Sequence, residues 1–341
     1  MTIIYFILIL GITVFIHEFG HFIFAKKAGI YCYEFSLGMG PRLFKFNRKN
    51  DETEYSLRLL PIGGYVSMAG ESVEEDEKIP KNKRLQAKTW WQKFSTILAG
   101  IFFNFVLAIV LFFIIALIYG AQTNVPYIGE IAKGSNSEIA GLQVGDKIVK
   151  MNGKKTPNLD MVSIELAVLD NEALELEVLR NGETKKITIE PAKDNESYTY
   201  GFGITTNIEK GIIPSIRYAF SKFASLITQM FLVIKYLIIG KLKLGALSGP
   251  VGIYSIVGEA SKAGFINLVY LLGMICVNVG FINLLPLPAF DGGRILFLII
   301  EKIKGKPVSP KVENTIHSIG FALLMILMVL ITYNDIIRLF K

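Results

Sequence analysis

The sequence predicts a polytopic α-helical membrane protein with four transmembrane helices and a small extracytoplasmic β domain. Three observations lead there. Of the 341 residues, 52% are hydrophobic, and the mean hydropathy is +0.46. Charged residues make up 19% of the chain, against about 25% in soluble proteins. Those charges also avoid four long apolar stretches, which is not how a purely soluble enzyme is written. The net charge of +7 does not mark a nucleic-acid binder, because Lys and Arg are not gathered on one soluble module. Two distant cysteines, Cys32 and Cys276, indicate neither a disulfide framework nor a thiolate zinc cluster.

Residues 2–25 contain no Lys or Arg and as a helix would reach about 36 Å, enough to cross a bilayer. A signal peptide is the competing reading, but no basic segment precedes the apolar run and no small-residue cleavage site follows it. Residues 96–119, 264–285 and 315–333 are uncharged runs of similar length and give the other three spans. Residues 223–234, bounded by Lys222 and Lys235, are too few to cross. They predict an interfacial or packed amphipathic helix. Basic residues then orient the spans. The net charge is +4 over residues 22–95, +3 over 288–311 and +1 over 121–263, so the long middle segment, and with it both chain ends, is expected outside.

Within that middle segment, residues 127–191 read as short strands and turns. Leu174, Leu176 and Val178 alternate with charged neighbours, Asn181-Gly182 supplies a two-residue turn, and Ile187 and Ile189 resume the alternation. A helical period over residues 159–170 separates this hairpin from the strands before it.

The chemistry is concentrated in His17-Glu18-Phe19-Gly20-His21, an H-E-x-x-H inside the first span. Four-residue spacing puts both imidazoles on one helix face, where they can share a tetrahedral Zn²⁺. Glu18 lies beside the metal without being a ligand and can take a proton from a water the metal acidifies. Ionisable groups within a span are costly, and their presence marks a site. A third ligand is needed. His317, the only other histidine, opens the fourth span and is the runner-up. Asp291 is the better candidate, because the third span ends in Pro286 and Pro288 and then presents Asp291 beside Gly292 and Gly293. Irregular backbone at membrane depth is tolerated where protein or a cavity surrounds it. If residues 223–234 do not cross, the first and third spans run the same way and bring Asp291 to the depth of the histidines.

The segment GSNSEIAGLQVGDKIVKMNG, within residues 127–191, resembles a PDZ domain of bacterial protease-associated type, implying a module that docks peptide termini or strands; a small β domain with another role is the alternative. HEFGH in the first span and NLLPLPAFDGG after the third, separated by this insert, resemble the site-2 protease family of intramembrane zinc metalloproteases, in its bacterial regulated-intramembrane-proteolysis branch. GGYV at 63–66, Gly100 to Asn104, and LSGPVGI at 247–253 extend the likeness through nearly the whole chain. The resemblance implies His17, His21 and Asp291 as zinc ligands and Glu18 as catalytic base. It also implies a membrane-associated β hairpin near Tyr55 to Met68 with a Gly63-Gly64 turn, presenting substrate as an added strand. Asn278 and Asn283 match asparagines that bind substrate backbone; packing between helices is their inert alternative. Two departures are Phe290, where the family often has Leu, and a single PDZ-like domain where some members have two.

The expected organisation is a first transmembrane helix at 1–26, a cytoplasmic loop with the hairpin at 27–95, and a second helix at 96–120. A PDZ-like domain at 121–207, an extracytoplasmic amphipathic linker at 208–263, a third helix with the Asp291 loop at 264–311 and a fourth helix at 312–341 complete it. The expected function is hydrolysis of peptide bonds within transmembrane segments of single-span membrane proteins, such as anti-sigma factors or signal-peptide remnants, in the cell membrane. A catalytically silent adaptor holding partners through its PDZ-like domain is the alternative, and the intact Glu18 argues against it. A metal transporter would need ligands leading to and from the site on further spans, which are not there.

Overall fold

The computed structural model describes all residues except 50, 72–77, 170, 195–196, 243–244, 246, 307 and 340–341. The chain divides into two compact units, residues 1–109 with 245–341, and residues 110–244. Among the described residues, five helices are long and apolar enough to cross a membrane: Thr2–Lys27, Trp90–Tyr119, Ile212–Ile238, Phe265–Leu284 and Lys311–Ile337.

The first unit opens with α1 (Thr2–Lys27), followed by strands β1 (Cys32–Asn47) and β2 (Glu54–Met68) and by α2 (Trp90–Tyr119), whose last turns belong to the second unit. The expected hairpin with a turn at Gly63-Gly64 is corrected here. Both strands bend, so that Leu37 pairs with Gly64 and also with Leu57, while Phe46 pairs with Tyr55. The first half of β1 therefore lies between the two halves of β2, and residues 64–68 form an edge. Phe22, Ala25, Ile30, Phe35, Val66 and Met68 bury the inner half against α1. Leu43, Phe44, Phe46, Leu59 and Leu60 at the outer half are exposed.

The second unit contains β3 (Ala121–Gln122), β4 (Tyr127–Ile131), α3 (Asn136–Ile139), β5 (Lys147–Met151), β6 (Lys154–Lys155) and α4 (Leu159–Ala167). β7 (Leu174–Arg180), β8 (Glu183–Ile189), β9 (Ala192–Asp194), β10 (Ser197–Thr199), β11 (Phe202–Thr205), β12 (Ile208–Glu209) and α5 (Ile212–Ile238) complete it. The main sheet has the order β11-β4-β5-β7-β8, with β6 paired to β5. Leu174 pairs with Ile189 and Leu176 with Ile187, in the expected register. Asn181 and Gly182 both adopt positive φ, 53° and 86°, as a primed two-residue turn requires. Ile128, Ile148, Val162, Leu174, Leu176, Val178 and Ile189 form its core.

The length expected for the fifth helical stretch was wrong. Its apolar run is twelve residues, but α5 has 27, because Lys222 and Lys235 lie within the helix and do not bound it. Lys222 Nζ donates to Asp160 Oδ1 of α4 at 2.6 Å and Ser225 Oγ to Asp160 Oδ2 at 2.5 Å. Further along, Lys154 Nζ donates to Tyr236 OH at 2.7 Å and to Glu165 Oε2 at 2.6 Å. From residue 222 to 236, about 21 Å of helix, α5 is thus bound to polar groups of its own unit.

The chain returns to the first unit with α6 (Pro250–Lys262), α7 (Phe265–Leu284), α8 (Asp291–Lys304) and α9 (Pro310–Leu339). The stretch 208–263 is therefore not one linker: α5 belongs to the second unit, while α6 packs in the first, where Asp335 of α9 accepts from Gly252 N–H at 2.8 Å. Contacts fix the helix directions. Ile9 packs with Leu268, and Thr13 Oγ1 lies 3.7 Å from Cys276 Sγ. His21 meets Asp291 beyond the end of α7, so α1 and α7 run parallel. His21 pairs with Thr96 and His17 with Asn104, so α2 is antiparallel to both.

Candidate metal centre

The H-E-x-x-H spacing does locally what it predicts. On α1, His17 Nε2 and His21 Nε2 lie 3.2 Å apart, and both rings are buried. Asp291 Oδ2 lies 3.0 Å from His17 Nε2 and 3.2 Å from His21 Nε2. Asp291 is not in a loop, as expected, but is the first residue of α8, where the helix dipole favours a carboxylate. Gly292 and Gly293 make this possible. A Cβ on Gly292 would come within 2.6 Å of the Leu284 carbonyl carbon, and one on Gly293 within 2.5 Å of the Leu287 carbonyl oxygen.

These are the one group among the described residues able to hold a metal with three side chains. Tetrahedral zinc with bonds of about 2.0–2.2 Å separates its ligand atoms by about 3.3–3.6 Å, close to the observed triangle. Asp291 Oδ2 is buried, yet no protein hydrogen bond reaches it with acceptable geometry. The three atoms converge on a common point. The donor set, two imidazoles and one carboxylate, is one that zinc accepts.

The far side of each imidazole is held by α2. His21 Nδ1 lies 2.8 Å from the Thr96 carbonyl oxygen, which fixes the proton on Nδ1 and leaves Nε2 free to bind metal. Asn104 Nδ2 stands 3.4 Å from His17 Nδ1, while Asn104 Oδ1 is buried without a partner. Turning that amide over puts Oδ1 against a protonated Nδ1 and gives His17 the same tautomer, with Nδ2 then in the unpartnered position. α2 comes this close because of Gly100, where a Cβ would lie 2.8 Å from His21 Cε1 and 2.9 Å from His17 Cε1. Gly100 and Asn104 were visible as a motif. Their task, and Thr96, were not, because it depends on which face of α2 meets α1.

Glu18, next to His17 on α1, accepts the Val66 N–H of the β2 edge at its Oε2 at 3.1 Å. On α7, no hydrogen bond ties the half-buried amide of Asn278 to a described residue. Asn283 Nδ2 instead donates to the Val279 carbonyl, one turn back on its own helix, at 2.9 Å. His317 does not join the metal group, which corrects its place as runner-up ligand: its Nδ1 accepts the Ala289 N–H at 3.0 Å.

Comparison with known proteins gives the family. The family model for peptidase family M50 matches residues 5–327. The regulator of sigma-W protease RasP of Bacillus subtilis is 34% identical, the match covering 99% of each chain. The zinc metalloprotease RasP of Geobacillus kaustophilus is likewise 34% identical, over 99% of this chain and 98% of the relative.

Proposed function

We propose a site of action for this enzyme from one premise: the chain belongs to peptidase family M50 and is a zinc metalloendopeptidase of a polytopic membrane protein type. It cleaves single-span membrane proteins within their transmembrane segments. The observation that carries this is the location of the His17, His21 and Asp291 group, buried between helices long enough to span a bilayer. The relation to a regulator of sigma-W protease supports anti-sigma factors as a substrate class.

His17, His21 and Asp291 hold the zinc, and Thr96 and Asn104 orient the two imidazoles. Zinc, when bound, supplies Lewis acidity to a scissile carbonyl and to the attacking water. Glu18 is the base, and its contact with Val66 puts the proton acceptor beside an edge strand. Residues 64–68 form an edge to which an extended substrate adds as a strand. Asn278, with an amide free to donate and accept, holds substrate backbone, as does Asn283 once released from Val279. A helical substrate must unwind to reach such an edge, since its own hydrogen bonds shield its carbonyls.

The topology we favour has four crossings in the cell membrane. With α1 and α7 parallel and α2 opposed to both, a crossing by α5 would reverse α7. The polar seam between α5 and α4 also keeps α5 with its soluble unit. Loop charge directs the metal end of the spans to the cytoplasm and residues 121–207 outside. We read that segment as PDZ-like, with β11 as the edge strand that takes peptide termini or strands. The exposed apolar outer half of β1 and β2 rests in lipid.

The test is incubation of the purified protein with a membrane-embedded model substrate, with and without a chelator, and mass spectrometry of the products. We expect cuts inside the transmembrane segment that stop on chelation and return with Zn²⁺. Cuts confined to soluble flanks would overturn the proposed site of action.

A further inference from the structure

The third histidine of the chain is conspicuous because the reaction as described makes no use of it. His317 sits near the start of α9, mostly buried, with its ring 5.6 Å from Phe297 of α8. Its Nδ1 accepts the N–H of Ala289 at 3.0 Å, so the ring is neutral and its proton is on Nε2. That Nε2 is buried, has no hydrogen-bond partner among the described residues and lies 4.0 Å from Glu313 Oε1, beside a cavity of about 470 Å³ that His317 helps to line with Glu313 and Arg294.

Ala289 has φ +76°, in the left-handed region that a side chain seldom adopts. Such a conformation persists only when its surroundings hold it. The turn that contains it is short: Leu287 N–H reaches the Leu285 carbonyl at 2.7 Å, and Gly293 N–H reaches the Phe290 carbonyl at 3.1 Å. Neither bond uses the Ala289 N–H, which His317 takes. One turn further along α9, Gly320 receives Pro288. A Cβ there would run into the Pro288 side chain and lie 3.0 Å from its carbonyl carbon. His317 and Gly320, on one face of α9, thus grip two consecutive residues of the turn, and Asp291 follows two residues later.

We propose that His317 is a positioning residue for Asp291: through the Ala289 N–H it fixes the strained turn that aims the carboxylate at His17 and His21. The inference rests on the reading of Asp291 as a zinc ligand. The fourth span then contributes to metal binding without supplying a ligand. Loss of the acceptor lets Ala289 relax, tilts the first turn of α8, and moves Oδ2 off the point where the imidazole nitrogens converge.

The test compares full-length wild type with His317→Leu, His317→Asn and Asp291→Asn. Leu fills the space without an acceptor, whereas the Asn Oδ1 stands where Nδ1 stood. Zinc affinity is measured by chelator competition, metal geometry by the visible spectrum of the Co²⁺-substituted protein, and stability by melting of the metal-free form. Turnover of a transmembrane peptide gives kcat and KM. His317→Leu is expected to bind zinc about tenfold more weakly, the lower end of what outer-shell substitutions cost. It should also shift the Co²⁺ bands and lower kcat more than KM, with metal-free melting unchanged. His317→Asn should recover most of the affinity and the spectrum. Wild-type affinity and spectrum in His317→Leu, with Asp291→Asn losing zinc, would overturn the role of His317 alone. If His317→Asn fails as badly as His317→Leu and both melt early, the residue is structural and the proposal is also overturned. Wild-type zinc affinity in Asp291→Asn would remove the ligand reading and the inference with it.

Discussion

Two buried carboxylates of the second unit, Asp160 and Asp146, are closed on cations of that unit, whereas the carboxylate of the metal group in the first faces two imidazole nitrogens. Asp160 receives Lys222 Nζ and Ser225 Oγ at 2.6 and 2.5 Å. Asp146 receives Arg180 Nε and Nη2 at 2.7 and 2.6 Å and the Gln143 N–H at 3.0 Å. Burial alone would raise the pKa of Asp146, but the guanidinium fork and that N–H bring it below its ordinary value. Around the metal group the pattern is reversed: Asp291 Oδ2 and His317 Nε2 are buried without a hydrogen bond to the described residues. Buried polar groups are nearly always satisfied, so a cluster that folding leaves unsatisfied is kept for chemistry, and one that folding completes serves the fold.

Substitutions at the two clusters should therefore fail in different ways, and the largest effect belongs to the first unit. Glu18→Gln should lower turnover by about 10²–10⁴-fold, because an amide cannot accept the water's proton, while zinc content and melting stay near wild type. Activity within a few fold of wild type would remove Glu18 as the base. In the second unit Asp160→Ala leaves Lys222 buried and without its carboxylate, which costs about 3–5 kcal/mol of local stability. Limited proteolysis should then open residues 110–244 while zinc content is unchanged. Replacing the pair by apolar residues, Asp160→Leu with Lys222→Met, should return most of that stability. Zinc loss in Asp160→Ala would break the distinction between the clusters.

How far each region could be read from sequence follows from the range of the interactions that build it. H-E-x-x-H is legible because its geometry is set within one helical turn, and the hairpin of β7 and β8 because Asn181-Gly182 encodes its own turn. Asp291 was visible through the prolines and glycines around it, but not as the first residue of α8. Thr96 and Asn104 could not be assigned, since their meaning depends on how α2 packs against α1 across some 75 to 87 residues. α5 was misjudged in length because Lys222, whose partner Asp160 lies 62 residues away, reads as a helix boundary when its burial is unseen. The bend of β1 and β2 escaped for a similar reason: Gly63-Gly64 looks like a turn locally, whereas pairing with Leu37 makes it part of an edge.

The smallest effects concern the two asparagines of α7, which stand between the two patterns. Asn278 has an uncommitted amide, as the metal cluster's groups do, while Asn283 is closed on the Val279 carbonyl of its own helix. If both serve substrate, the free one should matter more, because Asn283 must give up an existing hydrogen bond before it can make another. Asn278→Leu should slow cleavage by about tenfold, the loss of one buried hydrogen bond of about 1–1.5 kcal/mol. Asn283→Leu should cost only about two- to threefold, since the bond it loses to Val279 partly offsets the one it would make. Zinc content and melting temperature, measured on the same preparations as the kinetics, should stay constant in both. A fall in activity that follows a fall in melting temperature would assign the asparagines to packing between helices, worth about 1 kcal/mol. The reverse ranking, with Asn283→Leu the more damaging, would mean that substrate binding turns the Asn283 amide away from Val279, and that α7 is reshaped by what it holds.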